Sequence, residues 1–263
     1  VPLDGIGAYY DDDYIAHRRK NHWGWLAPFF ERGMQKLDRE KAAIVNEHIT
    51  LDATSRVLDL GCGSGSFLAA LASETGCAAE GVDFKDLSDL PAFARDGVEL
   101  HVGLAYDLPL PEQRYDLITM WHFLEHDYHP RKSLQAARRL LKDDGVMVIE
   151  VPRLDSRSFR WFGDRWPGLQ APQHTVLFER ATLEAALKQT GWRVEAYLPY
   201  GAFPAYFYLF AGLAFKLRRG KGIDLRKAIL PYLLGQVLCA PLLWFERRLN
   251  LAMQTVVCRK EPS

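Results

Sequence analysis

The apolar run Val57 to Leu60, broken only by Asp59, leads directly into Gly61-Cys-Gly-Ser-Gly65 and then into the apolar stretch Phe67 to Leu71. The first run suits a buried strand, the alternate glycines a tight turn, and the last stretch the start of a helix. A turn without Cβ atoms lets a ligand lie against the backbone. Glycine spacing alone is weak evidence. Here, however, a second strand closes on an acid, Gly81-Val82-Asp83, 18 residues beyond Gly65. Strand, glycine turn, helix and acid-tipped strand together point to an alternating α/β chain with a ligand site at its strand ends.

The segment Val57-Leu-Asp-Leu-Gly-Cys-Gly-Ser-Gly65 resembles the first motif of class I S-adenosylmethionine-dependent methyltransferases. It differs from the GxGxxG spacing of dinucleotide folds. The order continues with Val82-Asp83, with Tyr115-Asp-Leu-Ile-Thr-Met-Trp121 as a fourth strand, and with a helix carrying Arg138-Arg-Leu-Leu-Lys-Asp-Asp-Gly145. Val146-Met-Val-Ile-Glu-Val-Pro152 follows as a fifth strand. The chain is most similar to the small-molecule and lipid subgroup that includes ubiquinone-pathway O-methyltransferases. The resemblance implies a Rossmann-like α/β fold with a seven-stranded, mostly parallel sheet and a helical apolar insertion between the last two strands.

It also implies S-adenosylmethionine as cofactor. Gly61, Cys62, Gly63 and Gly65 would approach its amino-acid end and ribose, Asp59 its ammonium group, and Asp83 both ribose hydroxyls. Phe84 would pack on the adenine, with Trp121 and His122 nearby. Many relatives carry an aspartate where Leu104 stands, so backbone amides of Leu104 and Ala105 are expected to read the adenine edge. The plainer alternative for Asp59 and Asp83 is helix capping.

Lysine plus arginine number 33, equal to aspartate plus glutamate, so no global basic field argues for nucleic acid. Cys62, Cys77, Cys239 and Cys258 form no metal-ribbon spacing and suit a reducing, cytoplasmic setting. Residues 1–25 are too charged and aromatic for a signal core.

Four sections follow: an N-terminal lid and helix (1–50), the cofactor-binding core (51–198), an apolar helical insertion (199–250), and a final strand with tail (251–263). Tyr9, Tyr10, Tyr14 and Trp23 are candidates for the lid, and a helix is expected from about Phe29 to Ile49. Residues 196–215 and 228–245 contain no charged side chain, and residues 216–227 between them hold six basic residues and one aspartate. Crossing a bilayer would send that basic loop to the far side, although Met253 to Lys260 must return to the domain as a strand. Helices lying in the membrane interface, at the inner face of the cytoplasmic membrane, satisfy both constraints. An internal cap and a dimer surface are the alternatives.

On the acceptor side, Trp121-His-Phe-Leu-Glu-His126 follows the fourth strand, and His174 comes later. Similar O-methyltransferases hold a divalent metal with ExxEH and a later histidine, and here His122 replaces the first glutamate. His122, Glu125 and His126, at i, i+3 and i+4, are expected on one helical face. With His174 they are candidate metal ligands, suited to zinc rather than magnesium. Alternatively Glu125, His126 and His174 serve acid–base catalysis, or form a buried polar pair. The arginine- and aromatic-rich Pro152 to Trp166 closes over an acceptor, reads nucleic acid, or simply packs on the domain.

The function expected is O-methylation of a lipophilic or lipid-linked small molecule. The alternatives are a metal-assisted enzyme acting on a soluble sugar or secondary metabolite, and a cofactor-binding protein without turnover.

Overall fold

A computed structural model describes residues 24–217 and 228–262. Tyr9, Tyr10, Tyr14, Trp23 and the basic run 218–227 lie outside the described residues. The first long element is α1 (Ala27–Asn46), which starts where Pro28 occupies the first turn. It ends earlier than Ile49, because the His48 and Ile49 amides turn back to the Val45 carbonyl.

Strand β1 (Arg56–Leu60) passes through the glycine turn into α2 (Ser66–Thr75). β2 (Ala78–Asp83), the single turn α3 (Pro91–Ala94), β3 (Glu99–Val102) and β4 (Tyr115–Trp121) follow. α4 (Pro130–Leu140) gives way directly to β5 (Leu141–Pro152). The sequence placed residues 138–145 with the helix, but Leu141 already pairs with Tyr115 and is fully buried. Burial against the sheet overrides local helix propensity there.

The chain continues through α5 (Arg157–Phe162), α6 (Arg180–Gln189) and β6 (Trp192–Leu198), and closes with β7 (Met253–Lys260). The sheet order is β3-β2-β1-β4-β5-β7-β6. β7 runs antiparallel to both its neighbours, and the remaining pairs are parallel. The seven-stranded, mostly parallel sheet and the helices between its last two strands match what the motifs implied.

Alternation along the strands assigns the two faces. Leu58, Leu60, Ile118 and Met120 pack with Leu134, Leu183 and Leu187 from α4 and α6. Val57, Leu117 and Val146 pack with Leu37 and Val45 of α1 and Phe67 and Leu71 of α2. Asp59 shares this second face, which directs it toward α1. Strand order reverses at β1, whose neighbours are β2 and β4, and such a switch point opens a crevice beyond the strand C-termini.

Between β6 and β7 lie α7 (Ala205–Leu217), α8 (Ile229–Leu243) and the short α9 (Glu246–Leu249). α7 buries Ala205, Tyr208 and Leu209 and packs on Trp166, Leu251 and Met253. Gly212 meets the Phe162 ring so closely that a Cβ would not fit. α8 has no buried residue. No helix among the described residues is long and apolar enough to cross a membrane.

Candidate active site

A cavity of about 460 Å³ opens at the ends of β1, β2 and β4, within the usual range for small-molecule sites. Its first end is built by the glycine turn. Gly61 and Gly65 adopt φ of +74° and +68°, a region in which a Cβ is costly. The Gly61 and Cys62 amides donate to the Val82 carbonyl at 2.8 and 3.1 Å. Asp83 Oδ2 accepts from the Gly63 amide at 3.0 Å, and Oδ1 from the Lys85 amide at 3.1 Å. The acid that ends β2 therefore clamps the turn that ends β1.

Asp59 accepts from the Thr119 hydroxyl at 2.6 Å. Burial pushes its carboxyl up to about 7, against the opposing pull of Lys41 and that hydrogen bond. The Lys41 ammonium lies 5.6 Å from the centre of the Phe67 ring and 5.4 Å from that of Trp121. Burial raises the Cys62 thiol, with the Asp83 and Asp59 charges adding to the effect. Its sulfur packs where a Cβ on Gly81 would stand.

Among the residues expected to hold a cofactor, Asp59, Gly61, Cys62, Gly63, Asp83, Phe84, Leu104, Ala105, Trp121 and His122 all line this cavity. Gly65 does not. It stands at the start of α2, with its Cβ position against Phe93 and Ala92.

The second end corrects one expectation. His122, Glu125 and His126 do not share a helical face, because residues 122–128 form bends and turns. His122 itself has φ +54°, rare for a non-glycine residue. The His122 ring bridges two buried carboxylates, with Nε2 3.0 Å from Glu150 Oε1 and Nδ1 3.5 Å from Glu125 Oε1. Burial disfavours its charged form, yet the two carboxylates outweigh burial and raise it to about 9. His122 is thus a cation near neutrality, a state that binds no metal. Glu150 also accepts from the Ala202 and Phe203 amides at 2.6 and 3.1 Å, which ties this pair to the approach to α7.

His126 and His174 behave in the opposite way. Burial drives both down, His126 to about 4, so both are neutral near pH 7. His126 Nδ1 lies 3.1 Å from the Gln173 carbonyl, and His174 Nδ1 lies 2.7 Å from the Gly168 carbonyl. A carbonyl only accepts, so each Nδ1 carries the proton and each Nε2 keeps a lone pair. The rings meet edge to face at 4.6 Å. Glu125 is 1% exposed; its Oε1 meets His122 Nδ1 at 3.5 Å, and its Oε2 has no hydrogen-bond donor. One potential ligand atom from each of Glu125, His126 and His174 lies within 4.8 Å of the others. The loop carrying His174 reaches this turn because the Thr175 and Val176 amides donate to the Glu125 carbonyl at 2.8 and 3.2 Å.

Glu150, Thr119 and Lys41 were not singled out in the sequence, nor were Phe203, Phe207 and Tyr208, which form part of the cavity wall. Glu150 did leave a signal, since a lone acid in the apolar run 146–151 must find a partner when buried. The segment 152–166 mostly packs on the domain. Trp166 is buried and donates from Nε1 to Ser158 at 2.8 Å, and Arg153 forms an ion pair with Asp155 at 2.6 Å.

The methyltransferase domain family matches residues 30–197. A ubiquinone biosynthesis O-methyltransferase of Glaesserella parasuis is 26% identical over 131 residues, covering 45% of this chain and 54% of the relative. A ubiquinone/menaquinone biosynthesis C-methyltransferase of Cupriavidus metallidurans is 31% identical over 144 residues, covering 47% and 58%. The chain thus spans about half the length of the curated relatives it matches. A putative sarcosine dimethylglycine methyltransferase from Galdieria sulphuraria shares the fold, with a TM-score of 0.60 at 16% identity over 88% of each chain. With the family match covering more than half of its length, the chain belongs to the methyltransferase domain family.

Proposed function

We propose that this chain transfers the methyl group of S-adenosylmethionine to an oxygen of a lipophilic small molecule. The observation that carries this reading is one cavity whose walls include Asp59 and Asp83, His126 and His174, and the aromatics Phe203, Phe207 and Tyr208. Asp59 accepts from the cofactor ammonium, and Asp83 meets the ribose. The backbone of Leu104 and Ala105 reads the adenine, and Phe84 covers it. The cofactor supplies an electrophilic methyl on a sulfonium. A hydroxyl oxygen attacks that methyl in line, the methyl–sulfur bond breaks, and the hydroxyl proton passes to Nε2 of His126 or His174. Glu125, buried beside them, stabilises the imidazolium that forms. Alignment supplies much of the rate, so a weak base suffices. The relatives include both O- and C-methyltransferases. Two neutral imidazoles beside a carboxylate suit an acceptor that loses a proton on transfer, as a hydroxyl does.

One observation favours a second reading, in which a divalent cation assists. The Nδ1–carbonyl pairing of His126 and His174 is the support that metal-bound histidines commonly have, and Glu125 Oε2 has no hydrogen-bond donor. These three residues would hold the ion, which would polarise the acceptor oxygen. Nitrogen-rich ligation suits zinc.

The test is titration of purified protein with S-adenosylmethionine, followed by assay of labelled methyl transfer to prenylated catechols and polyprenyl-linked phenols in detergent. Binding with transfer to oxygen is expected. Absence of cofactor binding would overturn the proposal. Binding without transfer to any acceptor would leave a cofactor-binding protein. Loss of turnover on chelation, restored by zinc, would select the second reading.

A further inference from the structure

We infer that the outward face of α8 docks on an anionic lipid surface. Its purpose, to feed a lipophilic acceptor to the cavity, rests on the reading proposed above, but docking itself does not. Leu230, Leu234, Val237 and Leu238 are 76, 64, 70 and 72% exposed, and Trp244 beyond them is 87% exposed. They recur at helical spacing and form one stripe, far more apolar exposure than scattered surface residues require. The helix is well attached on its other side. The Tyr206 hydroxyl donates to the Tyr232 carbonyl at 2.8 Å, and the Tyr206 and Phe210 rings meet the Tyr232 ring at 5.0 and 5.1 Å. Gly235 allows the close crossing with Tyr206. The stripe is therefore an outer layer fixed on α7, and α7 in turn contributes Phe207 and Tyr208 to the cavity wall.

Charge selects the occupant. Residues 228–245 contain no acid. Among the described residues, exposed cations stand on both sides of the helix: Lys216 in the last turn of α7, and Arg247 and Arg248 in α9. Glu246 of α9 is turned inward and accepts from the Ala205 amide at 2.9 Å. In a two-fold dimer through this face, parallel or antiparallel, a basic flank would meet a basic flank. An anionic bilayer neutralises both flanks while the apolar stripe and Trp244 enter the headgroup boundary. At 15 residues α8 is about 22 Å long, too short to span a hydrocarbon core of about 30 Å, so it lies in the interface.

The experiment is co-sedimentation of the whole chain with vesicles of phosphatidylcholine mixed with phosphatidylglycerol, and with phosphatidylcholine alone. Binding to the anionic vesicles is expected, weakened by salt and by removal of phosphatidylglycerol. The double variant Leu234→Gln/Val237→Gln should bind at least about tenfold less. Cofactor titration of each preparation checks folding; should the double variant lose cofactor binding too, Trp244→Ala is read in its place. Failure of the wild-type chain to sediment with anionic vesicles overturns the inference. So does a dimer, seen by sedimentation velocity, that the double variant dissociates while vesicles bind neither form. Vesicle binding without methyl transfer would leave docking standing and count against the catalytic reading alone.

Discussion

The two ends of the cavity are built by opposite means. The end with Asp59 and Asp83 comes from two short segments, residues 59–65 and 81–85, whose contacts run along adjacent parallel strands. The end with Glu125, His126 and His174 joins a turn after β4 to a loop some 50 residues later, with Glu150 and the start of the insertion behind it. The first is a backbone device that local sequence specifies. The second is a set of side chains whose protonation depends on what is buried beside them. His122 and His126, four residues apart, show the difference. One is held as a cation near 9 by two carboxylates, and the other is kept neutral by burial with its value near 4.

The comparison predicts separable losses. The largest belongs to the second end: Glu125→Gln should lower kcat about a thousandfold, while cofactor affinity stays within about twofold. Steady-state kinetics beside calorimetric titration would read both, and a parallel loss of affinity would merge the two ends. His122→Phe leaves two buried carboxylates without their cation and should cost about 3 kcal/mol at pH 7 in urea unfolding. Because the folded value of His122 lies above its unfolded one, its contribution is complete below about pH 6.5 and is lost as pH rises through about 9. Wild type and variant should therefore converge in the alkaline range, and a constant gap would sink the assignment.

At the first end, Asp83→Ala should weaken S-adenosylmethionine binding about a hundredfold, since it removes the bond to the Gly63 amide and, on the proposed reading, the acceptor for the ribose. The smallest effect is a pH dependence of the unmodified chain. Asp59, raised to about 7, must be ionised to accept an ammonium, so cofactor affinity should fall about tenfold per pH unit below 7. The same raised value makes the ligand-free fold lose stability as pH climbs from about 4 through 7, because the folded state binds the extra proton. Calorimetry in two buffers of different ionisation enthalpy should detect proton release on binding at pH 6, and none would remove Asp59 from the ammonium site.

Legibility followed the same division. Val57 to Gly65 and Gly81 to Asp83 announce strand, turn and ligand acid because their meaning depends on near neighbours in the chain. Glu125 and His126 stood out as residue types, but the spacing i, i+3, i+4 pointed to a helix where the chain turns instead. The His122 positive φ and its capture by Glu150 depend on β5 lying beside β4, and no local pattern carries that. The two apolar runs of the insertion look alike as strings. Yet α7 is packed through Gly212 and Tyr208, and α8 has no buried residue, because α7 sets Ala205 and Tyr208 into the Trp166 and Leu251 surface, which α8 meets with the half-buried Leu242 and Leu243 at its end.

The sequence by itself determined the succession of strands and helices in the cofactor half, the glycine turn and the pair of acids, since these are properties of short segments. Tertiary structure alone decided which histidine is charged, which carboxylate oxygen is left without a donor, and which apolar helix remains outside. Desolvation and charge pairing are set by neighbours distant in the chain, and these are decided only when the sheet closes.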